Sequence, residues 1–349
     1  MSFQVTIQPS LHQFQVEPGQ TVLDAAMAAG IILPYSCRTG ACSTCKGKVV
    51  AGEVDAGVYP AQILSPEDLA EGYTLFCQAR AQSDLVIEST EVRLATDIQI
   101  RKLPSRVQTL TPLAPDVVEI KLQLPASEKF LYYAGQYIEV ILKDGKRRSY
   151  SMAGAPHKGS PLELHIRHMS GGLFTDHVFG TGATQMKERE ILRLEGPFGS
   201  FFLREDSDKP IVLLASGTGF APVKAMVEHI IHQDIRRPVS LYWGGRRPQD
   251  LYMNALAQSW AETLPTLTYI PVVSNALPED AWSGRSGFVH EAVMQDIPDL
   301  AGHQVYACGA PAMVDAARRD FTLQCGLPED EFYADAFTSE ADLARIETA

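Results

Sequence analysis

Cys37, Cys42 and Cys45 stand in the run Cys-Arg-Thr-Gly-Ala-Cys-Ser-Thr-Cys, and Cys77 follows after 31 intervening residues. This is the spacing C-x4-C-x2-C…C, which suits a 2Fe–2S centre because two bridged irons need four soft thiolates. Gly40, Ala41 and Ser43 keep the loop slim, so that backbone N–H groups can approach the sulfurs. A structural zinc and ordinary buried thiols are the alternatives; zinc favours paired C-x2-C knuckles, and this cluster has one. Of the two other cysteines, Cys325 precedes Gly326 at the end of a predicted helix and reads as a small core residue. Cys308 falls at a strand end.

Arg148-Ser149-Tyr150-Ser151 offers a second chemistry, since a guanidinium fork can clamp a pyrophosphate, a phenol face can stack on a flat ring, and a hydroxyl can bond a ring nitrogen. Gly171-Gly172-Leu173-Phe174-Thr175 follows as a glycine turn opening a short helix, where bare amides and a hydroxyl can hold phosphate oxygens. Gly196-Pro197-Phe198-Gly199 is a third turn; each alone is ordinary, and in this order they suit a flavin dinucleotide.

Gly217-Thr218-Gly219-Phe220-Ala221-Pro222 lies between a buried strand and a helix, where a dinucleotide's phosphates meet a helix start. Pro222 occupies the third glycine position of G-x-G-x-x-G, so the common dehydrogenase fingerprint is not met. Gly244-Gly245-Arg246, Ser274-Asn275 and Cys308-Gly309-Ala310-Pro311 fall at other strand ends, the edge where doubly wound sheets bind ligands. Cys308 reads either as a neighbour of the nicotinamide or as a small residue needed for close packing. Arg246 and Arg247 could meet a 2′-phosphate, but Asp250 follows; NADH is therefore expected, with NADPH as the alternative.

The elements that carry these groups fall into three domains, as a chain of 349 residues allows. Residues 1–92 begin with a hairpin (Phe3, Val5, Ile7; Phe14, Val16), then a helix capped by Thr21 and stopped at Gly30, and end on a strand at 85–87. A linker is expected over 93–104. Residues 105–205 carry short alternating runs at barrel-like spacing (Val117–Leu124, Tyr137–Leu142, Leu162–Ile166, Ile191–Leu194). From 206 to 349 strands and helices alternate: Ile211–Ala215, Ala221–His232, Val239–Trp243, Leu267–Val273, Gln304–Ala307 and Pro311–Gln324. That pattern predicts an α/β doubly wound parallel sheet.

A net charge of −12 argues against nucleic acid or an anionic membrane as partner. Residues 1–100 hold five basic and eleven acidic side chains, a net of −6, which suits either a solvated acidic surface or a docking face for a basic partner. No apolar run approaches the ~20 residues of a membrane helix, and the first residues lack the features of a signal peptide. A cytoplasmic monomer is expected.

The motifs in combination resemble the ferredoxin–NAD(P)+ reductase superfamily, in the subgroup of iron–sulfur flavoprotein reductases with an N-terminal plant-type ferredoxin domain. That group includes reductase components of Rieske dioxygenases and multicomponent monooxygenases, and CDP-6-deoxy-3,4-glucoseen reductases. The resemblance implies a β-grasp ferredoxin domain, an antiparallel β-barrel for FAD and an α/β nucleotide domain. It implies Arg148 at the FAD pyrophosphate, Tyr150 packed on the isoalloxazine, Ser151 near its N5, and Gly172 and Thr175 at phosphate, with Ser149 and Gly171 also among the cofactor-binding residues. Gly217, Thr218, Gly219 and Gly309 would meet the nucleotide with Arg246, and Cys308 would sit near the hydride-donating carbon. Phe337, in Glu331-Phe332-Tyr333-Ala334-Asp335-Ala336-Phe337, is the candidate for an aromatic that stacks on the flavin and yields to nicotinamide; residues 338–349 extend beyond it. His165 and Arg167 complete the candidate cofactor contacts, while none of the nine histidines, His165 and His168 included, is expected to act as acid or base. The implied activity passes electrons from NADH through FAD and a 2Fe–2S cluster to a terminal oxygenase, or alternatively to a sugar dehydrase. A flavin is needed because nicotinamide gives two electrons as hydride and the cluster takes one at a time.

Overall fold

The computed structural model describes residues 2–61, 63–89, 91–94, 98–180 and 185–337. By contact the chain divides into two units, Met1–Ile98 with the chain from Asp335 onward, and Gln99–Ala334.

In the first unit, five strands pair in the order Gln13–Val16, Phe3–Gln8, Leu85–Glu88, Lys46–Ala51 and Tyr73–Leu75. The first pair is the antiparallel hairpin that the alternation predicts, with Val5 opposite Phe14, and Phe3–Gln8 runs parallel to Leu85–Glu88. The inward side chains Val5, Ile7, Leu75 and Ile87 are fully enclosed. Helix Val22–Ala28 lays Val22, Leu23, Ala25 and Ala26 into the interior; Thr21 Oγ1 caps it by accepting from Asp24 N at 3.1 Å. Two-faced helix on mixed sheet is the β-grasp arrangement.

The second unit begins with a six-stranded antiparallel sheet, in the order Arg147–Ser151, Tyr137–Ile141, Ile191–Phe198, Arg101–Ala114, Val117–Gln123 and Leu162–Arg167. A single bridge between Met152 and Leu164 brings its two edges together, and alternate residues such as Val107, Ile120, Ile138, Leu164 and Leu194 fill the interior. Strand Arg101–Ala114 starts inside the expected linker, while Arg93–Leu94 pairs back on Ile31–Ile32. Two ends of the 93–104 segment are thus structured, because Leu103 and the strand pairing of Arg101–Arg106 with Ile191–Gly196 bury backbone and side chain alike.

The remaining sheet has the order Arg285–Ser286, Leu267–Val273, Val239–Gly245, Ile211–Ser216, Gln304–Gly309 and Phe332–Ala336. Ile211–Ser216 runs parallel to both Val239–Gly245 and Gln304–Gly309. Its central strands are near-continuous apolar runs, as expected of parallel strands covered on both faces. Helices Phe220–His232 and Pro311–Gln324 lie where the sequence predicts them. Phe332–Ala336 is the last strand of this sheet, and by contact Asp335–Phe337 group with the first unit, where the Ser36 hydroxyl donates to Asp335 Oδ1 at 2.5 Å. Residues 338–349 lie outside the described residues. Among the described residues no helix is long and apolar enough to cross a membrane.

Candidate functional site

The four cysteines are brought together by the register of two strands. Lys46 sits opposite Leu75, so Cys45 and the segment leading to Cys77 are neighbours, and Phe76 N donates to Cys45 O at 3.0 Å. Val22 and Leu23, at the start of the helix, donate their N–H groups to Ala79 O and Phe76 O, clasping the carbonyls on either side of Cys77. The loop between turns tightly through Arg38, Gly40 and Ser43, all at positive φ; Arg38 is steadied by Asp24 at 3.2 Å. Amides of Cys37 and Thr39 point at Cys42 Sγ and Cys37 Sγ, each at 3.4 Å.

The thiols act on one another in two pairs. Contact with Cys42 draws the Cys37 thiol down to about 5, while the same contact and burial push Cys42 up. Cys45 is pushed up by Cys77 and by burial, and Cys77 is drawn down by Cys45. Four thiols this close cannot all ionise unless cations lie between them. With sulfur-directed amides on the slim loop, that donor set fits a 2Fe–2S cluster.

On the barrel, Arg148 and Tyr150 share one side of strand Arg147–Ser151, opposite Val140 and Ile138. The Tyr150 ring packs 5.3 Å from Phe174, at the start of helix Leu173–Phe179, so the Arg148–Ser151 strand and the Gly171–Thr175 turn are adjacent. Burial raises the Tyr150 phenol, which stays protonated. The turn is closed more tightly than the sequence suggests. Gly171 N donates to Asp176 Oδ2, Gly172 N to Met169 O, and the Thr175 hydroxyl to Met169 O at 2.7 Å. These bonds brace the turn at the start of helix Leu173–Phe179.

The parallel sheet reverses its winding between Ile211–Ser216 and Gln304–Gly309, and ligands bind beyond the carboxyl ends of strands at such a switch. There Gly217–Gly219 forms a single turn leading into helix Phe220–His232. A Cβ on Gly219 would lie 2.1 Å from Cys308 O, and one on Gly309 would lie 2.3 Å from Ser216 Oγ. Both glycines are therefore dictated by close approach of the two strand ends, and Ala310 N donates to Ser216 Oγ at 2.9 Å across the gap. Trp243 Nε1 pins the turn by donating to Gly217 O at 3.0 Å, and its ring stacks on Phe220 at 3.8 Å. Cys308 is fully enclosed beside this turn, and Thr218 is half-buried at its rim.

Arg167, on the barrel, reaches across to this turn. Its NH1 would lie 3.1 Å from a Cβ on Gly217, and Nε is 3.3 Å from Asp116. His165 goes elsewhere: its imidazole is fully enclosed, with Nε2 at 3.0 Å from Glu163 Oε1 and Nδ1 at 3.0 Å from Tyr252 OH. With both nitrogens engaged its side chain has nothing left for a cofactor. Burial lowers its basicity against the pull of Glu163, so the ring is neutral.

Sequence reasoning missed the cluster to which His165 belongs. Lys224, on helix Phe220–His232, places its ammonium 2.9 Å from both Glu163 Oε1 and Glu228 Oε1 and donates to Ala153 O at 3.1 Å. Burial alone would raise the Glu163 carboxyl, but His165 and Lys224 outweigh it and hold it far below the carboxylate range. Burial alone would lower Lys224, and Glu163 and Glu228 outweigh that too. The cluster joins barrel to parallel sheet. The one local signal was a lysine within the otherwise apolar run Phe220–Val227.

Residues 5–82 match the family model of the 2Fe-2S iron-sulfur cluster binding domain, residues 104–203 the oxidoreductase FAD-binding domain, and residues 213–319 the oxidoreductase NAD-binding domain. The chain belongs to the ferredoxin–NAD(P)+ reductase superfamily, among the iron–sulfur flavoprotein reductases with an N-terminal 2Fe-2S domain, and is an electron-transfer oxidoreductase. It is 42% identical over 337 residues to the CDP-6-deoxy-L-threo-D-glycero-4-hexulose-3-dehydrase reductase of Yersinia pestis, covering 97% of this chain and 99% of that one. It is 35% identical over 341 residues to reductase component 1 of terephthalate 1,2-dioxygenase from Comamonas, covering 97% and 98%. Among solved structures, the Amycolatopsis cytochrome P450 reductase GcoB superposes with a TM-score of 0.77 at 34% identity, covering 97% of this chain and 99% of that one.

Proposed function

We propose that the chain delivers electrons singly to the oxygenase component of a Rieske-type dioxygenase or related monooxygenase, working as a cytoplasmic monomer. When bound, the nicotinamide supplies a hydride, the flavin turns a pair of electrons into single ones, and the cluster carries them out. The observation that carries the reading is one chain holding four converging thiols in its first unit and, in its second, a flavin-type barrel strand together with a doubly wound sheet and its switch point.

Cys37, Cys42, Cys45 and Cys77 hold the cluster in this proposal. Arg148 would bind the FAD pyrophosphate and Tyr150 would pack on the ring system, with Ser149 a further cofactor contact and the Ser151 hydroxyl a hydrogen-bond partner for N5. Gly171, Gly172 and Thr175, in the turn packed beside Tyr150, hold phosphate. Gly217, Thr218, Gly219 and Gly309 form the floor on which the nucleotide lies, with Arg167 and Arg246 available to its phosphates. The slim side chain of Cys308 leaves room for the nicotinamide to approach. Phe337, half-buried just past the last strand, covers the flavin and yields to nicotinamide. No residue here needs to act as general base; the chain orients, excludes water and sets charge.

A second reading, a sugar dehydrase as the acceptor, is favoured by the 42% identity to the Yersinia pestis reductase. Purified protein should show iron, labile sulfide and a yellow chromophore, and should reduce cytochrome c with NADH. Faster electron delivery to a Rieske oxygenase than to a dehydrase supports the first acceptor, the reverse order supports the second, and absence of both cofactors would sink either.

A further inference from the structure

A cleft of about 330 Å³ opens at the carboxyl ends of strands Val239–Gly245 and Leu267–Val273, against the barrel turn Pro115-Asp116. Arg246, Arg247, Asp250 and Asn275 line it. In doubly wound sheets the end of the second strand faces the adenosine ribose, where a 2′-hydroxyl and a 2′-phosphate are told apart. Two arginines in a row at this place suggest a phosphate site, but their surroundings do not.

Arg247 is already taken. Its Nε lies 2.5 Å from Asp280 Oδ2 and its NH2 2.6 Å from Asp280 Oδ1, a two-pronged pair that uses the fork a phosphate would need. Glu279 Oε1 stands 3.7 Å away on the same guanidinium. Asp280 is itself fixed, accepting from Leu277 N at 2.9 Å in the turn Pro278–Asp280. Asp250 Oδ2 accepts from the backbones of Arg246 and Arg247 at 2.8 and 3.0 Å, which holds its carboxylate in the cleft. Across the cleft Asp116 is paired with Arg167. Of the guanidiniums lining the cleft, that of Arg246 is exposed and has no carboxylate partner among the described residues.

We propose that Asp280 sequesters the Arg247 guanidinium and, together with Asp250, makes the cleft select the dinucleotide with a free 2′-hydroxyl and reject its 2′-phosphorylated form. The proposal rests on the nucleotide site of the preceding section and adds its specificity determinant. Four carboxylates, Asp116, Asp250, Glu279 and Asp280, oppose three guanidiniums, Arg167, Arg246 and Arg247. A phosphate group carrying nearly two further negative charges would meet a site where carboxylates outnumber guanidiniums and Arg246 alone is left to answer it.

Ferricyanide reduction by the full chain with NADH and with NADPH tests this. The wild type should favour NADH in kcat/KM. Asp280→Asn should raise the NADPH-to-NADH ratio by at least about tenfold, because a released guanidinium fork binds phosphate strongly. Adding Arg247→Ala should remove that gain. An unchanged ratio in Asp280→Asn, or a gain that survives loss of Arg247, overturns the proposal, as does a wild type preferring NADPH. A wild type that oxidises neither nucleotide overturns the nucleotide site itself along with it. Should Asp280→Asn fail to fold, competition in the wild type decides: ADP should inhibit against NADH at lower concentration than 2′,5′-ADP, and the opposite order refutes the clamp.

Discussion

Replacing Lys224 by methionine tests whether the barrel and the parallel sheet are held by charge as well as by apolar packing. Methionine keeps the length and apolar stem, so the change is chiefly loss of the ammonium. Lys224 is 4% exposed, and the Glu163 and Glu228 side chains are 11% and 12% exposed, so two carboxylates would remain in a nearly dry seam. Breaking a buried pair costs about 3–5 kcal/mol. The lower end applies here, because each carboxylate keeps another partner: Glu163 has His165 at 3.0 Å, and Glu228 has Lys158 at 2.7 Å and Ala155 N at 3.1 Å. A loss of about 3 kcal/mol should lower the melting temperature by roughly 6–12 °C for a unit of this size. Thermal unfolding followed by far-ultraviolet circular dichroism measures it. Adding Glu163→Gln should recover part of the loss, since the stranded charge is then gone, with a coupling of about 1–2 kcal/mol. A fall below ~1 kcal/mol in the single variant, or strict additivity in the double, would mean that the cluster contributes little and that apolar packing alone joins the two layers.

Cys42→Ser should reduce cytochrome c turnover to background while NADH-dependent ferricyanide reduction by the flavin persists; loss of both would contradict transfer through separable centres. Phe337→Ala should tighten NAD+ against the flavin by up to about tenfold, the worth of one aromatic contact, read as a stronger long-wavelength charge-transfer absorbance on titration, and no change would remove Phe337 from the flavin face. Stability should fall as the solution is acidified. Glu163 is depressed when folded, so its contribution is complete above the unfolded carboxylate value near ~4.3 and is lost as pH drops toward the folded one. His165, also lowered on folding, adds to the loss from about pH 6.5 downward, because the unfolded chain takes up the proton first. Urea midpoints between pH 8 and pH 4 check this, and a midpoint that rises on acidification would contradict it.

Elements with strong local periodicity were legible from the residues. The hairpin at Phe3–Val16, the helix over Pro311–Gln324 and the core strand at Ile211 all lie where their apolar spacing puts them. The four cysteines were legible because ligand spacing is a property of sequence. Strand Arg101–Ala114 was not: Pro104 and the outward Lys102 and Arg106 disguise it as linker, and the polar Ser105 takes an inward position between Leu103 and Val107. Its pairing with Ile191–Gly196, some ninety residues away, overrides that composition. The Lys224 cluster was illegible for a related reason. Glu228 lies one turn along the same helix, but the other carboxylate, Glu163, belongs to a strand of another layer, and no local window contains it with Lys224. The Gly171–Thr175 turn was legible as a turn, but not its bracing by Asp176 and Met169, which depends on how the chain folds back on itself there.

The charges shared between Lys224, Glu163 and Glu228 also bear on how such a protein is assembled over evolutionary time. Separating the flavin-type barrel from the nucleotide sheet would leave the Glu163 carboxylate with only the neutral His165 on one fragment and an ammonium half-matched on the other. Those two layers are therefore best inherited as a single cassette. Novelty comes more cheaply by changing what is fused to the cassette than by exchanging either of its halves.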